Sequence, residues 1–261
     1  MIAAFESVNI TGAMLKIFFY SIFFITSFAK AKSSDYQNLP FLDENVKIGL
    51  GLTYSKLESS SEVGNYFLLS QANPRFESQY DTAKKDQFTQ RFSLYMEQLL
   101  YRPENATLAL KYKTEFYSYG LSWRPRWISD GEGFAYGFKF AGKSSAVVSE
   151  KPDPFNVAGD IATRYSGEIG VNVVWFGQTV AKLPLSIDFE LLYSGTVAHN
   201  SVISFKDGIA YRFGIEFDFG KRSLLSNWNL RGFYSYEDVR TDYRNFVDKE
   251  IGFMVNKVFF F

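Results

Sequence analysis

Along most of the chain beyond residue 45, apolar and polar side chains alternate at every second position. The clearest run is Val46 to Tyr54. Val46, Ile48, Leu50, Leu52 and Tyr54 share one face, and Lys47, Gly49, Gly51 and Thr53 share the other. A period of two is the mark of a strand with one apolar and one polar face. The pattern recurs in Phe88, Phe92, Leu94 and Met96 against Thr89, Arg91, Ser93, Tyr95 and Glu97, and in Phe134, Tyr136, Phe138 and Phe140 against Ala135, Gly137 and Lys139. Later runs are more regular. Tyr165, Ile169, Val171, Val173 and Trp175 oppose Arg164, Ser166, Glu168 and Asn172. Leu183 to Tyr193 sets leucine, isoleucine and aromatics against Ser186, Asp188 and Glu190. Ile209 to Phe219 sets Tyr211, Phe213, Ile215 and Phe217 against Arg212, Glu216 and Asp218, and Trp228, Leu230, Tyr234 and Tyr236 oppose Asn229, Arg231 and Glu237. The final run is Glu250 to Phe261. Its outward set is Ile251, Phe253, Val255, Lys257, Phe259 and Phe261.

Less regular segments lie between these. Asn65 to Ala72 and Arg75 to Tyr80 are two short runs joined by Asn73-Pro74, a turn-forming pair. Leu108 to Phe116 places Lys111, Lys113 and Glu115 inward, with Phe116 outward. Leu121, Trp123 and Trp127 form an outward stripe over Arg124 and Arg126, interrupted by Pro125, which cannot donate to a ladder. Gly142 to Gly159, with two prolines, has no period and is expected to be an exposed loop. Every strand offers aromatic residues outward and charged or small residues inward. That pattern predicts an all-β chain, a transmembrane antiparallel up-and-down β-barrel, rather than a soluble sandwich whose outer faces would be polar. Counting each run gives about twelve strands, or ten if Asn73-Pro74 is not a hairpin turn.

Composition agrees. Aromatics make up 19% of the 261 residues, yet charged residues reach 21% and mean hydropathy is only −0.13. A helical membrane protein would need apolar runs of about 20 residues. Net charge is +0 and there is no cysteine, so neither nucleic acid nor thiolate metal chemistry is indicated, and no metal or cofactor is expected. Near the start, Met14-Leu-Lys16, the apolar Ile17 to Phe28 and Ala29-Lys-Ala31 have the layout of a secretory signal, so residues 1–31 are expected to be removed. Met14 is a second candidate start. Residues 32–45 form a polar lead-in and residues 46–261 the barrel.

The closing run ends on a bare aromatic and in this resembles the last strand of Gram-negative bacterial outer-membrane β-barrels. The resemblance implies residence in the bacterial outer membrane. It also implies that Phe261, with Phe259 and Phe253, is read by the barrel assembly machinery, and that outer-membrane lipid and lipopolysaccharide surround the wall. The export signal puts the start of the first strand in the periplasm and the closing strand ends there too, so the strand count is even. Turns expected there are Asn73-Pro74, Arg102 to Asn105, Ser129 to Gly133, Gly177 to Lys182 and Gly220 to Asn227. Trp127, Trp175 and Trp228 flank three of them, as an aromatic girdle would.

The inward faces carry the candidate chemistry. Lys111, Lys113, Arg124, Arg126, Lys139 and Arg164 fall on neighbouring strands. Asp188, Glu190, Glu216 and Asp218 fall on later ones, with Glu168 and Arg212 mixed among them. Two outcomes follow from such a set. Opposite charges pair across a dry lumen and plug it, or walls of opposite sign set a field across a water-filled pore. The expected function is accordingly a narrow channel for small solutes or a structural barrel without catalysis.

One motif suggests an alternative. His199, the only histidine, stands two before Ser201, and alternate strand positions share a face. His-x-Ser on a barrel wall resembles the outer-membrane phospholipase A and lipid A deacylase families, where the pair faces lipid. His199 and Ser201 share the outward parity of the neighbouring strands, which would make the chain an outer-membrane lipid hydrolase. Val202 stands where those families continue with Asn, and Phe213 where they place a carboxylate or amide. Asp207 and Glu216 supply no third member.

Overall fold

A computed structural model describes residues 43–61, 64–70, 72–103, 115–129, 133–149, 160–178, 183–199, 204–219, 227–241 and 245–261. These residues form strand segments β1 (Asn45–Ser61), β2 (Gly64–Ser70), β3 (Asn73–Asp81), β4 (Phe88–Pro103), β5 (Glu115–Ile128), β6 (Phe134–Ser149), β7 (Asp160–Gln178), β8 (Pro184–His199), β9 (Gly208–Asp218), β10 (Trp228–Arg240) and β11 (Asn245–Phe260). All pairings are antiparallel; from β4 to β11 each segment pairs with the next in sequence, β2 and β3 each pair with β1 and β4, and β11 pairs along its whole length with β1, from Asn45↔Phe260 to Ser60↔Asn245. Among the described residues the sheet is therefore closed and has no free edge, as a hydrocarbon surround demands.

The wall has ten strands, not twelve. β2 and β3 both lie between β1 and β4 and together make one strand. Lys56↔Leu69 and Thr53↔Asn73 differ by one residue in register, so the join is a bulge. Pro74 stands within the wall opposite Leu52 rather than in a turn. The second merger is at β5, which runs unbroken from Glu115 to Ile128 with Phe116 on its inner side. Its parity is opposite to that expected for Phe116. Pro125 is accommodated because the β5–β6 ladder skips from Trp123↔Phe140 to Arg126↔Gly137. A Cβ on Gly137 would come within 2.0 Å of the Pro125 carbonyl oxygen, so only glycine allows β6 to close against this site.

Merging these runs moves two expected turns. Asn73-Pro74 is inside the wall, and Arg102 belongs to β4 at the end away from the barrel's termini. The strand ends that flank Ser129 to Gly133, Gly177 to Lys182 and Gly220 to Asn227 lie at the terminal end, where β1 begins and β11 finishes, and most of the residues between them lie outside the described residues. A further turn there connects β3 to β4. Lys85 and Phe88 exchange both backbone hydrogen bonds, and Asp86 and Gln87 have φ of 49° and 65°. This is the two-residue hairpin geometry whose twist matches the flanking strands. Of the expected loop at Gly142 to Gly159, residues up to Ser149 are in β6 and the rest lie outside the described residues.

The outward parity holds around the wall. Leu50, Leu94, Leu121, Tyr136, Ile169, Phe189 and Phe253 are all half or more exposed, or nearly so, on the outer face. From Val46 to Tyr54 this band is about 20–25 Å tall for a strand tilted by about 40°. Trp127, Trp175 and Trp228 cluster at the terminal end, and the Lys257 ammonium sits 5.1 Å from the Trp228 ring, extending its stem along the wall toward that boundary.

Candidate functional site: the occupied lumen

The inner faces converge on the barrel axis and fill it in tiers. Nearest the terminal end, Glu216 on β9 binds Lys47 on β1, accepts Arg91 Nη1 from β4 at 3.2 Å and accepts Asn229 Nδ2 at 2.8 Å. Arg91 also forks onto both Asp81 oxygens, at 2.6 and 2.9 Å. The Arg91–Glu216 contact therefore joins opposite sides of the barrel. Below it, Asn256 donates to Asn229 at 2.8 Å.

In the middle tier, Glu190 on β8 accepts Arg124 Nε from β5 at 2.7 Å and Lys139 Nζ from β6 at 2.6 Å. Arg231 on β10 crosses to Glu77 on β3 at 2.6 Å. Arg75 bonds Glu250 at 2.7 Å and stacks its guanidinium 4.0 Å from the Tyr95 ring. Arg126 donates Nε to Asn172 at 2.6 Å.

A third tier lies beyond. Glu237 binds Lys143 and accepts Arg164 Nη1 and the Ser194 hydroxyl, each at 2.7 Å. Glu168 accepts Arg212 at 2.6 Å. Above that, the lining turns apolar. Leu57, Leu99, Val239 and Phe246 are buried together, with Phe116 and Phe205 packed against them. Phe205 precedes β9 and is held over the axis by its bridge to Thr241 and by the Lys206 amide on the Arg240 carbonyl.

Two small cavities lie between these tiers among the described residues. A cavity of about 70 Å³ lies among Arg75, Glu77, Arg124, Lys139, Glu190 and Arg231, and another of about 10 Å³ lies beside Arg91, Arg126 and Asp188. The first has room for a few waters and the second for one at most. Asp188 lines both. A charge buried at this depth is tolerated only with a partner. The density of pairs explains why Glu190, Glu216 and Arg164 can each be 1% exposed or less.

Most of the expected inward charges meet in this network. Arg124, Lys139, Arg164, Glu168, Glu190, Arg212 and Glu216 are bonded in it, and Arg126, Asp188 and Asp218 are buried beside them. Lys111, Lys113 and Ser201 lie outside the described residues. Sequence reasoning missed Arg75, Glu77, Asp81 and Lys143. The first three alternate with Phe76 and Tyr80, a signal hidden by the supposed turn at Asn73-Pro74. Lys143 sits in the small-residue stretch taken for loop.

The histidine is not where its parity put it. The β7–β8 ladder shifts register, pairing Ser166 with Thr196 but Tyr165 with Ala198, so Val197 bulges outward. His199 then stands opposite Arg164, on the inner side of the wall, and meets Phe205 edge-on with ring centroids 5.1 Å apart. The hydrolase expectation needed His199 toward lipid, and the bulge turns it the other way. Among the described residues no cluster of carboxylates or histidine could hold a metal ion.

A closed antiparallel wall, a lipid-facing aromatic band and a polar interior together define the architecture. The chain has the fold of the Gram-negative outer-membrane β-barrels. The outer membrane protease OmpT from Escherichia coli superposes with a TM-score of 0.50 at 8% identity, over 86% of this chain and 98% of that one. An outer membrane channel from Pseudomonas putida F1 gives 0.46 at 8% identity, over 86% and 98%. The translocator domain of the autotransporter NalP from Neisseria meningitidis gives 0.41 at 11%, over 98% and 99%. No family model and no curated protein sequence matches the chain. At such identities the likeness speaks for the fold alone.

Proposed function

We propose that the protein is a structural barrel of the bacterial outer membrane, closed to solutes and without catalysis. The observation that carries this reading is the occupied lumen. Charges from opposite walls bond directly at three heights, and Phe205 with five other apolar side chains stoppers the end away from the termini. Walls of opposite sign do exist, but among the described residues they touch, and the cavity of about 70 Å³ between them is no continuous water-filled path in which a transverse field could act on a solute. His199 on the inner side, packed against Phe205, argues against a lipid hydrolase.

In this reading residues 1–31 are the export signal and the terminal end is periplasmic. The Phe261 strand is the segment that the assembly machinery reads. The apolar band locks the barrel among lipids while the opposite end faces outward. Swelling of liposomes carrying the refolded chain tests the closed lumen. Liposomes with the wild-type protein should swell in arabinose no faster than empty ones. Uptake above that background returns the channel reading.

A further inference from the structure

Asp188 on β8 is an inward carboxylate that the ion-pair tiers leave unused. It is 7% exposed and makes no hydrogen bond or ion pair with another described residue. Its register partner on β9 is Gly214, and beyond that stands Phe233 on β10. A Cβ on Gly214 would lie 2.3 Å from Asp188 Oδ1, so the carboxylate fills the space over the glycine, one strand short of β10. Arg231 on β10 holds its guanidinium 5.5 Å from the Phe233 ring. It donates Nη1 at 2.6 Å to Glu77 on β3, with β11 and β1 between them, while its Nε is buried without an acceptor among the described residues. After Glu77, Asp188 is the carboxylate whose charge acts most strongly on Arg231. Arg231, Glu77 and Asp188 all line the cavity of about 70 Å³, so this side chain has room to turn. Glu77 does not depend on Arg231 alone, since it also accepts Gln79 Nε2 and lies 3.4 Å from Arg75.

We infer that Asp188 is a second seat for Arg231, and that the guanidinium exchanges between Glu77 and Asp188 across the cavity. In the first arrangement Arg231 ties β10 to β3. In the second it ties β10 to β8, and Asp188 gains the hydrogen-bonded partner that it otherwise lacks. No charge is created or lost, because one cation moves between two carboxylates. The unused N–H groups of the guanidinium favour the second seat, since a forked bond to a carboxylate is stronger than a single one. The bond to Glu77 favours the first. Water in the cavity lowers the barrier by standing in for either bond during the turn. When Arg231 is on Glu77, the charges of Arg91 and Arg126 still face Asp188, so it is not stranded. The exchange leaves the tiers on either side and the apolar stopper in place, so the closed lumen does not depend on it.

Solid-state NMR of the full chain refolded in lipid bilayers tests this, with isotopic labels on the arginine nitrogens and the aspartate and glutamate carboxyl carbons. Arg91 and Asp81 supply one arginine–aspartate contact in every variant. A further arginine–aspartate coupling should strengthen in Glu77→Gln and vanish in E77Q/D188N. A spectrum in which Glu77→Gln leaves the arginine–aspartate couplings unchanged overturns the exchange. Urea unfolding in bilayers gives a second readout. Asp188→Asn carries a cost of its own through Arg91 and Arg126, so the comparison is of Glu77→Gln in two backgrounds. In the wild-type background Glu77→Gln should lower the folding equilibrium constant by about ten-fold or less, because Asp188 takes the cation. In Asp188→Asn it should lower it by about a hundred-fold, the loss expected when a buried charge is left alone. Equal losses in the two backgrounds overturn the second seat. The gel mobility of the unheated barrel confirms that each variant is folded. None of these outcomes depends on whether the lumen conducts, so they are separable from the swelling test.

Discussion

Replacing Glu190 by Ala probes the middle of the lumen most sharply. Its carboxylate is 1% exposed and holds two cations from two other strands, Arg124 at 2.7 Å and Lys139 at 2.6 Å, with Arg212 at 3.7 Å. Without it, Arg124 keeps the Ser93 hydroxyl at 3.1 Å, but Lys139 loses its hydrogen-bonded carboxylate while still inside the barrel. Removing one partner of a buried pair costs about 3–5 kcal/mol, because the remaining charge stays desolvated. Here the adjoining cavity of about 70 Å³ supplies some water, which puts the cost toward the lower end, about 3 kcal/mol. Urea titration of the barrel in bilayers, followed by tryptophan fluorescence, reads this directly. A cycle combining Glu190→Leu with Lys139→Met should show coupling of about 2 kcal/mol, since the double variant leaves one fewer uncompensated charge. Pairs standing in bulk-like water are worth about 1 kcal/mol or less. A loss that small for Glu190→Ala, with no coupling in the cycle, would mean an open, wet lumen and would refute the reasoning.

Further expectations follow from other parts of the wall. Gly137→Ala forces a Cβ against the Pro125 carbonyl and should cost about 1–3 kcal/mol in the same titration; a neutral substitution would mean that β5 and β6 are less closely apposed. Phe205→Ala removes the aromatic stopper and should lower stability by about 1–2 kcal/mol, less than a fully buried phenylalanine would, yet leave liposomes unswollen because the ion pairs beneath persist. Neither the wild-type protein nor Ser201→Ala should hydrolyse phospholipid or lipopolysaccharide; hydrolysis lost in Ser201→Ala would restore the enzyme reading. Deleting Phe261, whose side chain is 82% exposed, should reduce the yield of assembled barrel in outer-membrane fractions while leaving the refolded lumen unchanged.

Parity was legible wherever apolar and polar residues contrast strongly. From Val46 to Tyr54, and within the runs Tyr165 to Trp175, Leu183 to Tyr193, Ile209 to Phe217 and Trp228 to Glu237, the side of each residue follows from the period of two, and so does the membership of Arg124, Lys139, Glu190 and Glu216 in the lumen. What failed were breaks in that period. Asn73-Pro74 has the chemistry of a turn, but the neighbouring strands hold it in the wall, at the cost of a bulge. Pro125 and the gap before Leu121 made one long β5 look like two strands. Bulges are invisible in residue identity alone, and the one at Val197 was enough to turn His199 from the lipid side to the lumen. Beyond Phe140, small residues such as Ala141 and Ser145 gave no contrast, so the extension of β6 and its Lys143 went unseen. Whether opposed charges touch or stand apart depends on the barrel's width, and two fewer strands brought the walls together.

The most direct test of the closed lumen is single-channel recording of the refolded wild-type chain in planar bilayers, with Glu190→Ala and Glu216→Ala alongside. The wild-type protein should stay silent at neutral pH across the voltages a bilayer tolerates, and so should each single variant, because the remaining ion-pair tiers and the apolar stopper persist. Regular current steps from the wild-type barrel would contradict a lumen bridged by Arg91–Glu216 and Arg124–Glu190.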